Sequence, residues 1–129
     1  MKKFYLLFML LALAGIGFGQ ATDLIISEYI EGSGNNKALE IYNGTGADVD
    51  LSGYQIWKIS NGGNWPESTL SLSGTLTDGD VYVIYNSSAD AAIVAVGDVT
   101  WSQANWNGDD AVGLAKDDGT GTFTLIDAV

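Results

Sequence analysis

The sequence predicts an all-β fold, an antiparallel sandwich or barrel, preceded by a secretory leader. Three observations carry that prediction. After the N-terminal apolar run no helical period of useful length appears. Short runs rich in Val, Ile, Tyr and Trp recur along the rest of the chain. Turn residues stand between them, and many short strands at such spacing pack as a sandwich or close as a barrel.

The elements follow in chain order. "MKKFYLLFMLLALAGIGFGQ" begins with Lys2 and Lys3, continues uncharged from Phe4 to Phe18, and ends in small residues at Gly17 and Gly19. That is the order of a signal peptide cut after Gly19. The rival is an uncleaved membrane anchor, but the apolar run falls short of the ~20 residues such a helix needs. No cysteine follows it to be acylated. Residues 1–19 are therefore expected to be a signal peptide. Residues 20–129 are expected to be one domain, secreted or held at the cell surface, with no membrane span after cleavage. With no cysteine in the chain, no disulfide can staple that domain, and its stability must come from apolar packing.

"LIISEYI" (24–30) and "ALEIYN" (38–43) read as strands. In the second, Leu39 and Ile41 alternate with Glu40 and Tyr42, the period of a half-buried strand. "YQIWKIS" (54–60), "DVYVIYN" (80–86), "AVGLA" (111–115) and "FTLID" (123–127) follow, with "TLSLSGTL" (69–76) and "DVTW" (98–101) as weaker signals. In 80–86, Val81, Val83 and Tyr85 share one face while Tyr82 and Ile84 share the other. Apolar residues on both faces place a strand in the middle of a packed sheet. "ADAAIVAV" (89–96) fits either one helical turn or a loop. Asn61-Gly62-Gly63, Asp78-Gly79, Asn107-Gly108 and Asp118-Gly119 are turn signals suited to positive φ.

"SEYIEGSGNNKALEIYN" (27–43) tests whether the chain binds phosphate. A phosphate-binding loop needs G-x-x-x-x-G-K-[ST] running into a helix. Here the glycine before Lys37 is missing, Ala38 stands where the hydroxyl is required, and a strand follows. The stretch reads as strand, glycine-rich turn and antiparallel strand, with Asn35 and Asn36 bonding the backbone locally.

The order S-E-Y-x-E-G, L-E-I-Y-N, D-L-S-G-Y and G-D-D-A-V-G-L, closing on "LIDAV", resembles the lamin tail domain of bacterial secreted and surface proteins. The resemblance covers roughly residues 23–129. It implies an immunoglobulin-like antiparallel β-sandwich and a non-catalytic module that binds, attaches or spaces, with no catalytic residues to carry over. Such domains occur beside exported nucleases and phosphatases. The resemblance therefore also allows an accessory fragment of an exported hydrolase whose catalytic domain is not in this chain. "TFTLIDAV" ends on an uncapped apolar strand, so the reading frame is expected to continue past Val129.

Charge restricts the partner. All 16 acidic residues follow the leader, against Lys37, Lys58 and Lys116 and no arginine, a net charge of −13 for residues 20–129. Nucleic-acid binding needs a basic footprint, so none is expected, although nuclear relatives of the family carry a basic face. The expected partner is an unidentified extracellular or cell-surface molecule.

Acidic loops make metal the first chemistry to weigh. "DVDLSG" (48–53) places Asp48, Asp50, Ser52 and Gly53 as in the first half of a calcium loop. The twelfth position, which should be a bidentate glutamate, is Ile59, so a turn with Leu51 packed inward is expected. Asp109-Asp110 and Asp117-Asp118 leave open a site built from several loops. Glu28, Glu31 and Glu40 offer carboxylates for a glycosidase pair, against a plain scaffold role; a domain this small leaves little room for a sugar cleft. With neither histidine nor cysteine, a triad using histidine and a cysteine nucleophile are both excluded. No catalytic, cofactor-binding or metal residue is therefore assigned, and no cofactor is expected. Trp57 and Trp101 are expected in the core. Trp65 and Trp106, in polar loops, are the candidates for a sugar-stacking surface, which makes a carbohydrate-binding module a further alternative. Asn43-Gly44-Thr45 and Asn86-Ser87-Ser88 match the glycosylation pattern and are read as chance.

Overall fold

The computed structural model describes residues 20–129. The signal-peptide reading falls on residues 1–19, outside the described residues. Two four-stranded sheets stack around one core. The first takes β1 (Ile25–Glu31), β2 (Lys37–Tyr42), β7 (Val81–Tyr85) and β8 (Val99–Thr100), in that spatial order. The second takes β10 (Phe123–Ala128), β9 (Ala111–Asp117), β4 (Tyr54–Ile59) and β5 (Ser68–Ser71). A two-stranded ribbon, β3 (Val49–Asp50) with β6 (Thr75–Leu76), forms a third, smaller sheet.

Alternation decides which residues make the core. Leu39 and Ile41 of β2 and Ile84 of β7 point inward from the first sheet, and Ile56, Val112 and Leu114 meet them from the second. All six are fully buried, and each such side chain contributes about 1.5–3 kcal/mol of transfer free energy. Leu51, on a 3-10 turn (Leu51–Gly53), packs inward as the sequence predicts, while Asp50 accepts the Ser52 N–H at 2.9 Å. β7 lies inside its sheet, as its two apolar faces require. The architecture is an immunoglobulin-like β-sandwich.

Three expectations are corrected. Residues 69–76 do not form one strand. They divide at Ser73-Gly74, where Gly74 takes φ 93°, and the two parts join different sheets. The fold is not wholly antiparallel either: β8 runs parallel to β7. A parallel neighbour needs a crossover, and residues 86–98 supply it through a short helix, α1 (Ala91–Val94). Asn36 does not bond its own turn through its side chain. Its side chain reaches Asp90, 54 residues away, while the turn is closed by backbone bonds such as Gly32 N–H to Asn36 O at 2.8 Å.

Candidate functional site

The crossover from β7 to β8 lies across the outer face of the first sheet, and both of its ends are fastened there. At the start, Asn36 Nδ2 donates to Asp90 Oδ2 at 2.8 Å, and Asp90 N–H donates to Asn36 Oδ1 at 2.7 Å. At the end, Asp98 N–H donates to Val83 O at 2.9 Å, and Val83 N–H donates to Asp98 Oδ2 at 2.7 Å. Gly97 sits against the Tyr85 ring so closely that a Cβ there would stand 2.2 Å from it. Glycine is required at that position because the strap must lie flat on the sheet.

Between the strap and the sheet a cavity of about 200 Å³ remains. Ile30, Ala38 and Val83 form its floor, Ala92, Ile93 and Val96 its wall, and Glu28 and Glu40 its rim. That volume is below the ~300 Å³ at which small-molecule sites begin, and suits a few aliphatic side chains better than a ligand held whole. Val96, a valine on this wall, is 65% exposed.

The rim is electrostatically unbalanced. Glu28 and Glu40 are direct partners across β1 and β2, and like charges directly opposed destabilise a strand pair. Ser27, at a bulge in β1, donates its hydroxyl to Glu40 Oε1 at 2.8 Å. All three lysines of the described residues are engaged elsewhere. Lys37 donates to Gly32 O at 2.5 Å, Lys58 pairs with Asp110 at 3.3 Å, and Lys116 pairs with Asp23 at 2.6 Å.

The third glutamate of the candidate set is not at this rim. Glu31 accepts the Gly108 N–H and the Tyr29 O–H, each at 3.0 Å. The Gly108 N–H first, and then the tyrosine hydroxyl, hold its carboxyl below the usual glutamate range. Burial and the same hydrogen bond push the Tyr29 phenol well above its ordinary value. Glu31 thus ties β1 to the loop before β9.

Most of the aspartates considered as calcium ligands are also occupied as braces. Asp48 accepts the Asp78 N–H at 3.1 Å. Asp117 accepts from Gly119 and Gly121, and Asp118 from Thr120, so both fix the β9–β10 turn. Asp109 is exposed, whereas Asp110 turns in against buried Lys58. Burial opposes the Asp110 charge, but the N–H groups of Asn61 and Asn107 and the Lys58 ammonium outweigh it and lower its pKa. Among the described residues no three carboxylates gather into one group.

The tryptophans depart from expectation only in part. Trp101 is buried, as predicted. Trp106, weighed as a candidate for a sugar-stacking surface, is fully buried: its Nε1–H donates to Ile30 O at 2.9 Å and its ring stacks on Tyr29 at 5.6 Å. The buried indole has found a carbonyl, so its polar loop lies outside it while the ring lies within. Trp57, predicted in the core, is half-buried on the outer face of β4, because its neighbours Ile56 and Lys58 take the inward positions. Trp65 is half-buried near Gly113.

The first glycosylation-like asparagine is structural. Asn43 is fully buried, and its amide donates to the carbonyls of Ala47 and Leu76. Sequence reasoning missed the apolar lining of the groove. The available signal was "ADAAIVAV", a run too apolar for a free loop and too short for a core helix.

The family model of the Lamin Tail Domain matches residues 19–129. No curated protein gives a significant match.

Proposed function

The chain belongs to the lamin tail domain family, and from that premise we propose that it is an exported, non-catalytic module that binds or attaches to a partner through the strap groove. One observation carries the reading: an apolar groove, walled by a valine left largely in water, lies on a sheet face. Exposed apolar surface beside polar residues marks interaction sites. The carboxylates weighed for chemistry support the same reading, since Glu31, Asp48, Asp110, Asp117 and Asp118 each accept backbone N–H groups and act as struts. Export rests on the basic-apolar-small order of residues 1–19.

Site-directed photo-crosslinking tests the binding role. A photoreactive residue at position 96 should capture a partner from the surface or medium of the producing cells. The same residue at Thr69, exposed on the other sheet, should not. Equal capture from both positions, or none from either, overturns the proposal. Amino-terminal sequencing of the exported protein tests the rest and should begin near Gln20.

A further inference from the structure

We propose that the strap groove is a receptor for a cationic-aliphatic peptide, a segment in which small branched apolar residues alternate with lysine. This rests on the reading of the groove as a binding surface and names the chemistry of its partner.

Two features of the groove point the same way. Its interior is apolar and small, with Ala38 and Val83 on the floor and Ala92 and Val96 on the wall. Short aliphatic side chains fit it. Its rim opposes Glu28 directly to Glu40, a repulsive arrangement that no lysine of the described residues neutralises. A cation placed between the two carboxylates removes that repulsion and gains two attractions. The partner must then carry a positive charge within a side chain's reach of its apolar group.

The same facts exclude other occupants. A second copy of residues 20–129 has only Lys37, Lys58 and Lys116 to offer, and each is committed within its own chain. Nucleic acid brings phosphate to a protein of opposite need. A neutral sugar would meet aliphatic walls in place of an aromatic platform.

The test is an NMR titration of the ¹⁵N-labelled protein with three capped peptides. In one, two valines alternate with two lysines; in the others glutamine or glutamate replaces lysine. The lysine peptide should shift the amides of Ile30, Ala38, Val83 and Val96. The glutamate peptide should not. Two exposed ion pairs make the lysine peptide bind about five- to tenfold more tightly than the glutamine peptide, and raising the salt to about 1 M should erase most of that difference. Glu28→Gln/Glu40→Gln should remove the preference while keeping the fold. Val96→Lys, on an exposed position, should weaken the lysine peptide by offering an internal ammonium.

Equal binding of the lysine and glutamine peptides would overturn the cationic partner and leave the groove as a binding surface. Absence of groove shifts with every peptide would overturn the groove itself. A preference that survives the double glutamine variant would show that the cation is read elsewhere, and would also overturn the proposal.

Discussion

Asn43 holds one end of the sandwich together with a single amide. Its Nδ2 donates to Ala47 O at 2.8 Å and Leu76 O at 2.9 Å, while its Oδ1 accepts from Thr45 N–H at 3.1 Å and from the Thr45 hydroxyl at 2.8 Å. Asn43→Asp removes both donors and sets a carboxylate against two carbonyl oxygens. Stability should fall by about 2–5 kcal/mol, read from urea midpoints. Asp109 and Asp110 show how adjacent, identical residues diverge. Lys58 and Asp110 form a buried pair, with side chains only 6% and 3% exposed. Asp110→Ala strands the Lys58 ammonium and should cost about 3–5 kcal/mol, whereas exposed Asp109→Ala should stay within about 0.5 kcal/mol. The pH dependence has a definite sign. Burial opposes the charge on Asp23 as on Asp110, and their hydrogen bonds and lysine partners still lower both pKa values below the ordinary 3.8. A depressed carboxylate stabilises the fold above its unfolded value, and that contribution is lost as pH falls through the folded value. Urea midpoints measured from about pH 6 to about pH 2.5 should therefore fall for the wild type and fall less for Asp110→Asn.

At the scale of elements, the crossover is the feature that distinguishes one sheet face from the other. α1 has four residues and no side-chain cap, too little to hold itself by helical bonds. Its place is set by Asn36–Asp90 at one end and by Asp98 and Gly97 at the other. Asn36→Ala removes the first fastening. It should lower global stability by about 1–2 kcal/mol and speed amide exchange at Val94, Ala95 and Val96 about tenfold or more relative to β2. Hydrogen exchange read by NMR checks this. Unchanged protection across residues 93–97 would mean that the strap is held by its apolar underside alone. The hairpin of β1 and β2 matters in the same way, because its register sets Glu28 against Glu40 and Ile30 against Ala38. A slip of one residue would turn the groove floor inward.

For the whole molecule, charge is the dominant long-range property. A net −13 over residues 20–129 repels itself, so added salt should raise the melting temperature. Calcium at matched ionic strength should do no more than sodium, to within about 1 °C, if no site binds the ion in the folded state. A calcium-specific rise of many degrees would point back to the aspartate loops. Duplex DNA should show no binding at physiological salt, which a mobility-shift titration checks.

Strand positions were legible because they are written locally. Leu39 and Ile41 alternate with Glu40 and Tyr42, Val83 and Ile84 load both faces of β7, and the structure has a strand at each place. Glu28 and Glu40 were also legible as residues to weigh, although not as a pair. Three things were not legible. Trp106 sits in a polar loop, and only the arrival of the Ile30 carbonyl, 76 residues away, makes its burial favourable. Residues 69–76 carry one continuous β signal, yet their two halves serve different sheets. The groove is assembled from β1, β2, β7 and the strap, whose residues lie far apart in the chain.

By itself the sequence determined the all-β class, the acidic character, the exclusion of histidine and cysteine chemistry, and the family of the chain. Those follow from composition, from local periodicity and from motifs read in order. Only the tertiary structure decided which acidic groups are struts, which tryptophan is core, and where an apolar surface is left facing water. The physical reason is that burial and pairing belong to the partner as much as to the residue. Asp109 and Asp110 are the same side chain in sequence, and one of them meets Lys58.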